Sequence, residues 1–140
     1  MTDCVFCKIR DGQILSMKVY EDERTLVIMD INPLTAGHCL VLTKTHAPTI
    51  WESSIDDLQA AMTTAKKVAA GLREAVQPDG LNVLQANGAA AFQSVPHFHL
   101  HLIPRWNNDG KGFDWKLVPG DRAKIIAVGE TLRNALEMLE

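Results

Sequence analysis

Between Pro96 and Pro104 the chain reads His97-Phe98-His99-Leu100-His101-Leu102-Ile103, histidine alternating with an apolar residue. A period of two belongs to a β-strand, whose successive side chains point to opposite faces. A helix would scatter the same residues around its axis. The run therefore predicts a strand from Pro96 to Ile103, ended by Pro104. It would carry three imidazoles on one face, about 6.6–6.8 Å apart. Three of the chain's five histidines lie in it.

The flanking sequence supplies partners for that strand. Met17–Glu21 and Thr25–Met29 read as short strands separated by the charged turn Asp22-Glu23-Arg24. Asn32-Pro33 breaks the chain and Gly37 marks a second turn, after which His38–Thr43 reads as a nearly all-apolar, buried strand. Ser54-Ile55-Asp56-Asp57 has the form of a capping box, with Asp57 in the place of the usual Glu. Ile55, Leu58, Met62, Ala65, Val68, Ala69, Leu72 and Val76 then recur at helical spacing until Pro78 and Gly80 stop them. Leu81–Gln85 alternates like a strand, residues 86–93 read as a loop, and Ala123–Leu139 reads as a terminal helix. This order predicts an α+β domain with an antiparallel sheet.

A chain of 140 residues has the length of one domain, 1–140. It buries about two-thirds of its unfolded surface and needs no disulfides to fold. Its formal net charge of -3 supplies no basic field for nucleic acid or anionic lipid, so an anionic ligand must be held by local groups. No run of about 18 apolar residues is present to span a membrane. The start, Met1-Thr2-Asp3-Cys4-Val5-Phe6-Cys7-Lys8, lacks the basic and apolar regions of a secretory signal. Three cysteines, an odd number, do not suggest a disulfide framework, and a cytoplasmic location is the simplest expectation.

Two chemistries suit a row of strand histidines. A His-x-His pair can chelate a catalytic metal when further ligands complete the shell. Alternatively, a neutral imidazole can attack phosphorus, since a pKa near neutrality keeps the free base abundant. Cys4-x-x-Cys7 is a separate signal: two cysteines at this spacing commonly share a zinc, and otherwise are buried thiols or a redox pair.

Three segments resemble one family. Gln93-Ser94-Val95-Pro96-His97-Phe98-His99-Leu100-His101-Leu102-Ile103-Pro104-Arg105 resembles the signature of the histidine triad (HIT) superfamily. The stretch Asp30-Ile31-Asn32-Pro33-Leu34-Thr35-Ala36-Gly37-His38, continuing to His46, resembles its second hallmark, and Cys4–Ile9 its N-terminal opening. The resemblance runs from Cys4 to about Arg105, in the family's order, and leaves the last 35 or so residues with little signal.

The resemblance implies a HIT-like fold of about five antiparallel strands with one long helix and a C-terminal helix. It implies a bacterial Hit/Hint-like nucleotide hydrolase or transferase working at a nucleotide's α-phosphate. His99 would be the nucleophile and would carry the nucleotide covalently, His101 would hold phosphate oxygens or the bridging atom, and His38 would contribute to the same site. Asn87, Gln93 and Ser94 would bind near the phosphate or leaving group, and Asp30 the ribose hydroxyls. Ile28, Ile31 and Leu40 are either a base pocket or ordinary core. Cys4, Cys7, His46 and His97 would hold a structural zinc, which makes His97 a ligand rather than a catalyst. No organic cofactor is expected. The expected partners are a purine nucleotide conjugate of AMP or GMP and a second copy of the chain, joined through the long helix and a sheet edge.

The favoured expectation is hydrolysis of a nucleoside phosphoramidate. Its rivals are a dinucleoside polyphosphate hydrolase, a non-enzymatic nucleotide-binding interaction module and a His-x-His metallohydrolase. Two departures from the pattern stand out. Phe92 occupies a position where the family commonly has glycine, which restricts backbone approach to phosphate and predicts a different loop path. Thr43 replaces a frequent proline at a strand end, which either residue tolerates.

Overall fold

The computed structural model describes residues 3–113 and 115–139. Their elements run α1 (Val5–Arg10), β1 (Lys18–Glu21), β2 (Thr25–Met29), β3 (Cys39–Thr43), α2 (Ile55–Val76), β4 (Gly80–Leu84), β5 (His99–Arg105) and α3 (Arg122–Met138). The five strands form one sheet in the order β1-β2-β3-β5-β4, every neighbour antiparallel. The α+β class and strand count agree with the sequence reading.

Period two sorts the sheet into two faces. Val27, Val41, Leu100 and Leu102 point to one face, where they pack with Phe98 against Ala61, Ala65 and Leu72 of α2. The buried positions of α2 are small or short, so the helix backbone sits close to the sheet, and the Thr64 and Thr25 hydroxyls share a hydrogen bond of 2.8 Å. Leu26, Ile28, Leu40 and Leu42 point to the other face, beneath Phe6, Cys7 and Ile9 of α1. His99 lies opposite Leu42 and His101 opposite Leu40, so both imidazoles share this second face.

Local chemistry sets the helix ends. The Ser54 hydroxyl accepts from the Asp57 N–H at 3.1 Å, one half of the expected capping box. The Asp57 carboxylate turns instead to Arg24 Nη1 at 3.0 Å. Gln77 ends α2 in the left-handed region with φ of 50°. The helix α1 is absent from the sequence reading. It has six residues, and its N-cap is the Cys4 thiol, which accepts from the Cys7 N–H at 3.3 Å.

The strand bearing the histidines starts later and ends later than its alternation suggests. Phe98 N–H donates to the carbonyl of Ala47 and His97 N–H to that of Val95, both at 2.8 Å, so the backbone joins the sheet only at His99. Pro104 does not stop it. Pairing with β3 ends at Leu102, so Pro104 has only β4 as a neighbour, and a missing N–H costs no ladder bond on the open side.

Candidate active site

The three histidines of the alternating run serve two separate clusters. Because His97 precedes β5, its ring lies beyond the strand's end, next to α1, while His99 and His101 line a pocket of about 280 Å³. Its lining combines the polar Asp30, Ser94, His99 and His101 with the apolar Phe6, Ile9 and Ile14 and with Ile28, Ile31 and Leu40, the three residues whose role the sequence left open. Its size is at the small end of ligand pockets.

Hydrogen bonds fix the imidazole tautomers. His99 Nδ1 lies 2.7 Å from the carbonyl oxygen of His97. A carbonyl only accepts, so Nδ1 carries the proton and Nε2 keeps a free lone pair. The edge of the His99 ring meets Phe6, with centroids 5.0 Å apart, in a buried setting. Burial pushes the His99 pKa below the ordinary 6.5, chiefly because the charged form loses its hydration. The ring is a neutral base at neutral pH.

A second chain of bonds orders His101. The Leu34 N–H donates to His38 Nδ1 at 2.9 Å, so neutral His38 carries its proton on Nε2. That Nε2–H faces His101 Nδ1 at 3.0 Å, with Asp30 Oδ2 at 3.3 Å. His101 is thereby an acceptor at Nδ1 and a donor at Nε2. Burial lowers the pKa of both rings, opposed in each by the Asp30 carboxylate. Asp30, His38 and His101 come close enough together to suggest a cation site. The Leu34 N–H argues against one: it occupies the His38 Nδ1 lone pair and so keeps the proton on Nε2, the atom that would have to bind the metal.

The other cluster has the opposite character. His97 Nε2 donates to the Thr43 carbonyl at 2.6 Å, so its Nδ1 lone pair is free and faces three further ligand atoms. Cys4 Sγ lies 3.3 Å, Cys7 Sγ 3.6 Å and His46 Nδ1 3.2 Å from that nitrogen, and Cys7 Sγ lies 3.4 Å from His46 Nδ1. Tetrahedral zinc with ordinary Zn–S and Zn–N bonds would set such edges at about 3.3–3.6 Å. The donor set fits that ion, and the Thr43 carbonyl supplies the outer hydrogen bond that orients a ligating imidazole. The Thr43 contact uses only its main chain, so the residue's departure from proline leaves it intact.

The remaining candidates fall in different places. Ser94 is exposed at the pocket wall. Asn87 and Gln93 are engaged with the backbone of their own loop and of the Pro48–Ile50 segment and line no part of the pocket. Asn87 Oδ1 accepts from the Ile50 N–H at 2.7 Å, while Gln93 accepts from the Gly88 N–H at 2.7 Å and donates to the Pro48 carbonyl at 2.6 Å. Phe92 adopts φ of 65°, a conformation glycine takes without strain. Cys39 is core, its thiol pushed up to about 11 by burial. Arg105 holds both oxygens of Asp109, at 2.8 and 3.0 Å, and Lys44 pairs with Glu21, so neither cation faces the pocket. Phe6 and the Leu34 N–H were not foreseen. Phe6 lies on the unrecognised α1, and a backbone donor leaves no mark in residue identity.

Comparison with known proteins agrees with this fold. Residues 11–108 match the family model described as the HIT domain. The adenosine 5'-monophosphoramidase hnt1 of Schizosaccharomyces pombe is 37% identical over 135 residues, 96% of this chain and 98% of that one. The crystal structure of a HIT family protein from Bacillus anthracis has a TM-score of 0.86 at 40% identity, covering 95% of this chain and 96% of that one. A Zn-bound histidine triad family protein from Mycobacterium smegmatis has a TM-score of 0.77 at 37% identity, covering 99% and 96% of the two chains.

Proposed function

Because this chain belongs to the HIT domain family, we propose that it is a nucleotidyl hydrolase or transferase that cleaves nucleoside phosphoramidates or related nucleotide conjugates through a covalent nucleotidyl-His99 intermediate. One observation carries the reading: the bond from His99 Nδ1–H to the His97 carbonyl leaves Nε2 as an aimed free base in the pocket wall. The phosphoramidase name of the S. pombe relative supports the substrate class.

In the first step a bond forms between His99 Nε2 and the α-phosphorus as the bond from phosphorus to the leaving amine breaks. The amine takes a proton from a solvent water, while His101 Nε2–H donates a hydrogen bond to the phosphoryl group. The hydroxide so formed attacks phosphorus, the bond to His99 breaks, and nucleoside monophosphate departs. Asp30 has acceptor capacity for the vicinal ribose hydroxyls, Ser94 donates beside the phosphate, and His38 holds His101 in its donor tautomer. Asn87 and Gln93 brace the loop that carries Ser94, and their contact with substrate is a proposal resting on family resemblance.

Zinc on Cys4, Cys7, His46 and His97 would tie α1 to the sheet and fix the His97 carbonyl that aims the nucleophile. When bound, the ion supplies structural cross-linking. A second copy of the chain is also proposed. Apolar side chains left open on α2 and β4 (Met62, Val83 and Leu84) and on α3 (Ile125, Leu132 and Leu136) support it. Three free cysteines suit a reducing cytoplasm, and among the described residues no helix is long and apolar enough to cross a membrane.

The test is turnover of adenosine 5′-phosphoramidate by wild type and His99→Ala, with folding checked by circular dichroism. A loss of roughly 10³-fold or more in the folded variant is expected. Equal activity in both removes His99 as nucleophile. Turnover of diadenosine polyphosphates alone favours the dinucleotide hydrolase, and binding of AMP without any turnover favours a nucleotide-binding module.

A further inference from the structure

The carbonyl of Pro104 is left over where β5 outruns β3. Asp79 N–H donates to the Arg105 carbonyl at 2.8 Å, so Arg105 turns its backbone toward β4. Successive residues of an antiparallel strand turn their backbone groups to opposite neighbours. The Pro104 carbonyl therefore points to the other side, beyond the last β3 pair at Leu102. Pro104 is fully buried, and a buried carbonyl needs a donor. It finds one on a side chain: the Thr35 hydroxyl donates to it at 2.6 Å.

That hydroxyl belongs to the turn that orders the site's protons. Residues 34–38 lie between β2 and β3, so no sheet ladder holds them. His38 N–H donates to the Thr35 carbonyl at 3.2 Å, and Leu34 N–H to His38 Nδ1 at 2.9 Å. Gly37 packs against the same proline that Thr35 bonds, so the turn is fastened to β5 at two points. The His38 Nε2–H has two acceptors within reach, His101 Nδ1 at 3.0 Å and Asp30 Oδ2 at 3.3 Å. The tilt of the ring decides between them, because a hydrogen bond weakens steeply off its axis. The Leu34 N–H sets that tilt from the ring's other nitrogen.

We propose that Thr35 is a positioning residue: its bond to Pro104 locks the turn whose Leu34 N–H aims His38 at His101 rather than at Asp30. The consequence for catalysis rests on the hydrolase reading, in which His101, with Nδ1 occupied, directs its Nε2–H at the phosphoryl group. Thr35 lines no part of the His99 pocket and acts only through His38.

The experiment compares wild type, Thr35→Val and Thr35→Ser as full chains with zinc supplied. Valine keeps the shape of threonine and loses the hydroxyl, while serine keeps the hydroxyl. Long-range proton–nitrogen NMR at neutral pH reads the imidazoles directly. Wild type should show a His38 Nε2–H protected from exchange with solvent and His101 as a single Nε2–H tautomer. Thr35→Val should lose the protection and let His101 populate both tautomers, and Thr35→Ser should restore the wild-type signals. On adenosine 5′-phosphoramidate, Thr35→Val should lower kcat about tenfold with KM within about twofold, and Thr35→Ser should recover kcat. Unchanged imidazole signals in Thr35→Val overturn the proposal whatever its activity. So does a loss confined to KM, or one that Thr35→Ser does not recover. If Thr35→Val fails to fold, wild type alone decides. A slowly exchanging Thr35 hydroxyl proton and a scalar coupling from Leu34 N–H to His38 Nδ1 are expected, and the absence of either overturns the lock. If the imidazole signals respond as expected while wild type turns over no phosphoramidate, the lock stands and the hydrolase reading falls.

Discussion

Gly37→Ala tests how the fold delivers His38 to the site. Gly37 has φ of 91°, and a Cβ there would meet Pro104 Cγ at 3.1 Å and Leu72 Cδ2 at 3.4 Å. A side chain at positive φ costs about 1–2 kcal/mol. Overpacking adds about 1–3 kcal/mol, and here the neighbour is the ring of Pro104, fully buried within β5 and unable to swing aside. Reduced freedom of the unfolded chain returns about 0.4–1 kcal/mol. The expected net loss is about 2–4 kcal/mol, a large share of the 5–15 kcal/mol typical of a domain. In urea, with an m-value of about 1–3 kcal/mol per molar, the midpoint should fall by about 1–2 M. Gly12→Ala separates the two costs, since Gly12 has φ of 80° with nothing within 4 Å. It should lose only the backbone part. Equal losses in the two variants, measured by equilibrium urea unfolding at fixed free zinc, would refute the close-approach argument.

Further expectations concern protons and metal. Burial lowers the pKa of His38, His99 and His101 below 6.5, so the neutral rings needed for attack persist down to that pH. Accordingly kcat/KM for adenosine 5′-phosphoramidate should be level from pH 8 to 6.5 and fall only below it; an acid limb centred above 6.5 contradicts the assignment. Free zinc held at about a thousand times its Kd adds about 4 kcal/mol to folding, so stripping it with a chelator should lower Tm by roughly 10 °C or more. An unchanged Tm in protein shown metal-free by elemental analysis would remove the structural role of the Cys4–Cys7–His46–His97 set.

What could be read from sequence followed the strength of the local signal. The strand β2 and the helix α2 emerged at or within a residue of their bounds, because continuous apolar runs and a 22-residue helical period outweigh any tertiary effect. The six-residue α1 did not, since its cap is a thiol and its apolar pattern is too short to show a period. The three histidines keep one side of the alternation, since Phe6 meets both His97 and His99 while Phe98 packs with Leu100 on the other, but β5 begins only at His99 for a long-range reason: the bond from Phe98 N–H to Ala47 holds the chain off the sheet. Residue types named the members of the two clusters. The tautomers that decide their chemistry depend on the Leu34 N–H and on the carbonyls of Thr43 and His97, which every residue possesses and no sequence pattern distinguishes.

The position of β5 between β3 and β4 has a consequence for the order of assembly. It is the last strand to leave the ribosome, yet it takes an interior place in the sheet, pairing with β3 some 60 residues upstream, as in Leu42 with His99. A nascent chain that stops short of it has two open strand edges and no nucleophile. Insertion of β5 closes the sheet and brings His101 to His38 in the same event. Non-local closure of this kind is slow compared with the folding of α2. The proposed phosphorus chemistry would thus be withheld from every chain in which β5 has not yet paired.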